Sequence, residues 1–227
     1  MKMAIIGGTG GQGLGIAIRF VQAGEEVIIG SRTLEKAQAA VDKIKELLEE
    51  EVPNLKALEN PEAAKEADLM ILTVPLAAQS ATLQSIKEGA VGKILMDATV
   101  PLESGIGGSP TRCLYLPEGA ASERAQKILP DTKIICAFNN ISSGSLMKFK
   151  QPIDCDCLIA GDDQESKVTV AKLIEKIPGV QVVDCGPLER AQIIEKITPL
   201  LIGLNIKKTC TDAGIRITGL NPECKLY

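Results

Sequence analysis

The feature that most constrains this chain is a glycine block, Gly8-Thr9-Gly10-Gly11-Gln12-Gly13, set between two unlike stretches. Before it, the apolar run Met3-Ala4-Ile5-Ile6 predicts a buried strand. After it, Leu14, Ile16-Ala17-Ile18, Phe20 and Val21 recur at helical spacing. Strand, glycine turn and helix in that order form the context in which G-x-G-x-x-G holds a dinucleotide. Gly8 is expected to make the tight turn, Gly10 to let the backbone approach a pyrophosphate, and Gly13 to let the helix pack close to the strand. The free N–H groups and the positive end of the helix dipole then face the phosphates.

A second apolar run, Glu26-Val27-Ile28-Ile29-Gly30, ends in Ser31-Arg32. A site built for NAD usually places an acid there to accept from the ribose 2′-hydroxyl. Here Ser31 and Arg32 stand instead, with Lys36 one helical turn beyond, and Thr9 offers a hydroxyl from the glycine turn. A hydroxyl and two cations suit a 2′-phosphate. Two cations at a helix start also oppose the dipole unless an anion is present. The cofactor predicted from these residues is NADP(H).

The net charge of −4 gives no electrostatic case for nucleic acid or an anionic membrane surface. No apolar run approaches the roughly 18 residues that a membrane span requires, and nothing at the start of the chain resembles a targeting segment. The expectation is a cytoplasmic protein. Its seven cysteines (Cys113, Cys136, Cys155, Cys157, Cys185, Cys210 and Cys224) contain no C-x-x-C pair, so reduced thiols are expected and no metal site. Histidine is absent, which removes a His-containing triad and the commonest general acid–base. Aromatic residues are few, so the core must be almost wholly aliphatic.

Strands and helices alternate, which predicts an α/β fold: a doubly wound, mostly parallel sheet of Rossmann type with a small C-terminal helical or α+β part. Helix is expected over 34–52 and 118–129, strand over 68–75, 94–98 and 133–138. Asn60-Pro61-Glu62 reads as an N-cap with proline at N1. Asn139, Asn140 and the small polar residues after them lie at the carboxyl end of a strand, where open α/β sheets bind ligands; taken alone, the stretch reads rather as a connecting loop. Strands are also expected over 156–160 and 180–185, flanking a helix capped by Asp162 or Asp163. A long helical region runs from Pro187 to Lys208, with a kink expected at Thr198-Pro199. The domain boundary is set near residue 155: 1–154 for the dinucleotide-binding domain, 155–227 for the remainder.

The blocks AIIGGTGGQGLGIAIRF, EEVIIGSRTLEKA, ADLMILTVP, PEGAASERAQKILP, KIICAFNN, LIAGDDQES and DCGPLERAQIIEKITPLL together resemble the F420-dependent NADP oxidoreductases of methanogens and other archaea. The resemblance spans nearly the whole chain. The first two blocks are shared with many NADP-binding proteins, and the GPL…TPL block is the more specific. The resemblance implies a Rossmann domain with a C-terminal part that helps to form a deazaflavin site. It implies hydride transfer between C4 of the nicotinamide and C5 of coenzyme F420, with no protein acid–base taking part. Gly8, Thr9, Gly10, Gly11, Gln12 and Gly13 would then hold the phosphates, and Ser31, Arg32 and Lys36 the 2′-phosphate. Thr73, Val74, Pro75 and Ala137 would line the nicotinamide side, with Asn139, Asn140, Lys196 and Thr198 toward the deazaflavin. Some members carry histidine where this chain has Asn139.

Two other readings compete. A reductase of a small imine or keto acid would need a positioned acid–base, for which Lys196 is the candidate. A non-catalytic NADP sensor would bind the cofactor without turnover. Finally, ITPLLIGLNI has almost no polar face, which predicts a homodimer through this segment.

Overall fold

The computed structural model describes residues 1–221 and 226, so Cys224 and Tyr227 lie outside the described residues. The chain runs β1 (Lys2–Ile6), α1 (Gly11–Gln22), β2 (Glu26–Ser31), α2 (Leu34–Leu48), β3 (Leu55–Glu59), α3 (Asn60–Glu66), β4 (Leu69–Leu72) and α4 (Leu76–Ala90). It continues with β5 (Ile94–Asp97), α5 (Ala121–Ile128), β6 (Lys133–Cys136), α6 (Ser143–Met147), β7 (Cys155–Gly161), α7 (Gln164–Ile174), β8 (Val180–Asp184) and α8 (Ala191–Ile206). Short 3-10 turns cover Glu103–Ile106 and Leu188–Arg190.

The eight strands form one sheet in the order β3-β2-β1-β4-β5-β6-β7-β8. The pairs are parallel except β6 with β7, which is antiparallel. Side chains alternate across the sheet and so divide the core in two. Met3, Ile5, Val27, Ile29 and Ile71 join Phe20 and Ile44 on one face. Ala4, Ile6, Ile28, Met70 and Leu72 join Leu83 and Ile86 on the other. Each fully buried aliphatic side chain contributes roughly 1.5–3 kcal/mol, which makes an almost ring-free core workable. The one aromatic pair among the described residues is Phe20 with Phe138, edge to face at 6.1 Å between centroids.

Several elements are shorter than the sequence suggests. β4 ends at Leu72 and leaves Thr73-Val74-Pro75 as a loop at the carboxyl end of the sheet, and β6 ends at Cys136. α2 stops at Leu48 with Glu49 in the left-handed region, and α5 begins only at Ala121. β3, absent from the sequence reading, is an edge strand with a half-exposed pattern. Pro199 does not end α8, which runs unbroken from Ala191 to Ile206. Asn60 is not the cap of α3: Glu59 holds that position, without a side-chain bond. The cap of α7 is Asp163, which accepts from Ser166 N at 2.8 Å, while Asp162 accepts from Leu188 N.

Candidate functional site

The strand order reverses between β1 and β4, and the loops at that switch point carry the glycine block. The left-handed residue of the turn is Gly7, at φ +70°, one position ahead of the expected one. Gly7 N donates to Asn60 Oδ1 at 3.1 Å, so the side chain expected to cap α3 instead fixes the glycine turn. Gly8 N donates to Ile5 O at 3.2 Å and Gly30 O at 3.0 Å. A Cβ on Gly13 would fall 2.5 Å from Gly8 Cα, so glycine there permits close packing of α1. A Cβ on Gly10 would meet nothing within 4 Å. Gly10 is also the N-cap of α1 and carries no side-chain cap. The first-turn N–H groups have no intrahelical acceptor, and this cradle fits a pyrophosphate.

Ser31 is buried at the end of β2, while Thr9, Arg32 and Lys36 are exposed beside it. Thr33 caps α2, its Oγ1 accepting from Lys36 N at 3.5 Å. Among the described residues neither the Arg32 guanidinium nor the Lys36 ammonium has an ion-pair partner. The two cations thus stand free at the rim, as a 2′-phosphate site requires.

From the glycine turn a cavity of about 500 Å³ runs across the carboxyl ends of β4, β5 and β6 to α8. Gly10, Gly11 and Gln12 form one end, Thr73-Val74-Pro75 one side, and Thr198 with Leu201 the far wall. Among the described residues its lining contains no ionisable side chain. Ala137 and Lys196 are not part of the wall. Ala137 is fully buried in the core, and Lys196 is exposed. Leu102, Ile202, Asn205 and Ala213, which the sequence did not single out, join the lining.

The floor is built by Phe138–Asn140. Phe138 has φ +65°, an unusual conformation for a bulky residue and one that tends to mark a functional turn. It is held by Gln12 Nε2, which donates to Phe138 O at 3.1 Å. Asn139 Nδ2 donates to Thr99 O at 3.1 Å, Cys136 Sγ donates to Asn139 Oδ1, and Thr198 Oγ1 donates to Asn139 O at 2.7 Å. Asn140 is a structural clamp: Nδ2 donates to Asp156 O at 2.7 Å, and Oδ1 accepts from Leu158 N at 3.1 Å.

Two carboxyls lie behind this floor. Asp97 accepts from Gln79 Nε2 at 2.8 Å and Thr99 N at 2.9 Å. Glu195, on α8, accepts from Ala121 N at 2.9 Å, Ser122 N at 3.1 Å and Ser122 Oγ at 3.2 Å, capping α5 from another element. Burial pushes Asp97 up to about 6 and Glu195, with Asp97 adding like charge, up to about 8. Cys136, also buried, is raised well above an ordinary thiol. Gln79 Oε1 finds no hydrogen-bond partner among the described residues.

A doubly wound sheet with a glycine cradle at its switch point, free cations at the rim and an adjoining neutral cavity defines a dinucleotide-binding oxidoreductase of Rossmann type. Residues 2–101 match the family model described as NADP oxidoreductase, coenzyme F420-dependent. The F420-dependent NADP reductase of Methanothermobacter marburgensis is 55% identical over 225 residues, 98% of this chain and 100% of that protein. The enzyme of the same name from Methanocaldococcus jannaschii is 46% identical over 222 residues, 97% and 99% of the two chains. The chain belongs to the F420-dependent NADP reductase family. A crystal structure of a putative F420-dependent NADP-reductase from Arthrobacter sp. FB24 superposes with a TM-score of 0.82 at 23% identity, covering 96% of this chain and 99% of that one. At that identity it speaks for the fold alone.

Proposed function

We propose that the chain transfers a hydride directly between C4 of NADP(H) and C5 of the deazaflavin coenzyme F420, without a protein acid–base. One observation carries the mechanism: the cavity adjoining the cofactor cradle has no ionisable side chain in its described lining. The two dissolved partners supply the redox chemistry, and the protein's task is to bind, orient and exclude water. Gly8, Gly10, Gly11, Gln12 and Gly13 would hold the pyrophosphate, and Thr9, Ser31, Arg32 and Lys36 the 2′-phosphate. Thr73, Val74 and Pro75 would flank the nicotinamide. Thr198 and Asn139 would face the deazaflavin, and α8 together with the rest of 155–227 would complete that second site. Asn140, clamped to Asp156 O, would form part of the floor beneath the deazaflavin, and Ala137 supports that floor from behind. Lys196 stands off the cavity wall, which speaks against a reaction that leans on it as an acid–base. We read the protein as a cytoplasmic homodimer; no helix among the described residues is long and apolar enough to cross a membrane.

The test is isotopic. With NADPH carrying deuterium at the transferred C4 position, the label is expected at C5 of the reduced deazaflavin. Loss of the label to solvent would show that a protein group or water intervenes, and the direct mechanism would fall.

A further inference from the structure

Arg19 lies in the last turn of α1, the helix whose first turn forms the phosphate cradle, and it is only 3% exposed. Its hydrogen bonds among the described residues go to main-chain carbonyls of one short stretch. Nε donates to Leu146 O at 3.0 Å. Nη1 donates to Gln151 O at 2.7 Å and Phe149 O at 3.4 Å, and Nη2 to Ser145 O at 2.8 Å and Lys148 O at 2.9 Å. These carbonyls belong to the end of α6 and the turn after it, a place where orphan acceptors and the negative end of the dipole favour a cation.

The same face of α1 grips the same segment twice more. Gly15 approaches so closely that a Cβ there would fall 2.5 Å from Leu146 Cβ. Gln12 Nε2 donates to Phe138 O at 3.1 Å and reaches Ile141 O at 3.5 Å. Positions 12, 15 and 19 form one stripe at helical spacing. The stripe therefore holds residues 138–151 along the full length of α1, and Phe138–Ser143 of that segment are cavity wall. α6 has five residues, too few to hold a shape unaided. On its outer side the segment has Asp212, which accepts from Ser142 Oγ and Lys148 Nζ, each at 2.8 Å. Lys148 is more than half exposed, and an exposed pair of this kind contributes little. The buried five-carbonyl clamp dominates.

We propose that Arg19 is a positioning residue for hydride transfer: it keeps the wall of the second-substrate site in register with the cofactor helix, although it touches neither partner of the reaction. The proposal rests on the hydride-transfer reading above. A displacement of about 1 Å in such an arrangement can cost on the order of a hundredfold in rate.

The experiment compares the full-length wild type, Arg19→Met, Arg19→Lys and Ile44→Ala. Ile44 is fully buried on α2, away from the cavity, and serves as a control for loss of stability. Single-turnover transfer from NADPH to F420 is followed at the deazaflavin band, well below each variant's Tm, together with the Kd for NADPH and the primary deuterium isotope effect. Arg19→Met should transfer about tenfold or more slowly, bind NADPH within about threefold of the wild type, and show an isotope effect at least as large. Arg19→Lys, with three donors against five carbonyls, should fall between. Ile44→Ala should lose Tm and keep the transfer rate. Wild-type transfer in Arg19→Met, or equal rate losses in Arg19→Met and Ile44→Ala at matched Tm, overturns the proposal. If Arg19→Met does not fold, Arg19→Lys decides alone, and an unchanged rate there overturns it too. Absence of transfer in the wild type itself would instead refute the reaction, and the proposal would fall with it.

Discussion

The glycines of the cradle separate two physical demands that the sequence motif combines. Gly13 is needed by the protein, because any Cβ there runs into the backbone of Gly8. The fold makes no such demand at Gly10, where a Cβ meets no protein atom within 4 Å and the φ of −86° suits any residue; we propose that its glycine serves the ligand. Gly10→Val should therefore lower Tm only by the modest cost of a β-branched N-cap and abolish measurable NADPH binding, whereas Gly13→Ala should lower Tm more. A thermal scan with and without NADPH checks both, and a large Tm loss in Gly10→Val without cofactor would contradict the assignment. The motif was legible in the sequence because its spacing is local. The residue that makes the left-handed turn, Gly7, was not, since adjoining glycines satisfy the pattern equally well. Nor was the bond from Asn60 to Gly7 N. Asn-Pro-Glu has the form of a helix start, and only the packing of α3 on β1 shows that the side chain is used elsewhere.

At the scale of elements, α8 is joined to α5 through Glu195, whose carboxyl group caps α5 across the core. The sequence showed an apolar helix with one acid in it and no reason to expect that acid inside, because its partners lie more than 70 positions away. β3 escaped for a related reason: an edge strand exposed on one side has too weak an alternation to be read. Strands buried on both faces, β1, β2 and β4, were legible as continuous apolar runs. Glu195 gives a pH signature with a definite sign. Its folded value of about 8 lies above the ordinary 4.5, and that of Asp97, about 6, above 3.8. The folded chain thus retains protons that the unfolded chain has released. Stability that is fully present below about pH 4 should fall as pH rises, through about 6 for Asp97 and through about 8 for Glu195. Glu195→Gln should lower the urea midpoint at about pH 5, since an amide NH₂ opposes backbone donors, and should flatten the decline between about pH 6 and 8. Parallel curves for the two proteins would show that Glu195 does not titrate in that window.

For the molecule as a whole, the surface of α8 is where the proposed homodimer would form. One side of the helix is buried, through Ile194 and Leu201, and part of it walls the cavity through Thr198, Ile202 and Asn205. A third side carries Ile193 at 58%, Leu200 at 60% and Ile206 at 60% exposure, with Ile193 and Leu200 two turns apart on one line. The segment after β5 lies alongside, Thr111 against Gly203, and presents Ile106 at 69% and Tyr115 at 90%. Large exposed apolar side chains along one line of a helix suit an interface, and a two-fold contact would cover them with a second copy. Sedimentation at micromolar concentration should then give twice the 24.0 kDa of one chain. Leu200→Glu should shift the equilibrium toward monomer by placing a carboxylate in the contact. Because Leu201 and Ile202 turn the same stretch of helix toward the cavity, loss of the partner should weaken F420 binding several-fold, while NADPH, proposed to sit at the opposite end of the cleft, should bind as before. A wild-type chain that sediments as a monomer at tens of micromolar would refute the dimer. A Leu200→Glu monomer with unchanged affinity for F420 would show that the interface stabilises the fold without shaping the second-substrate site.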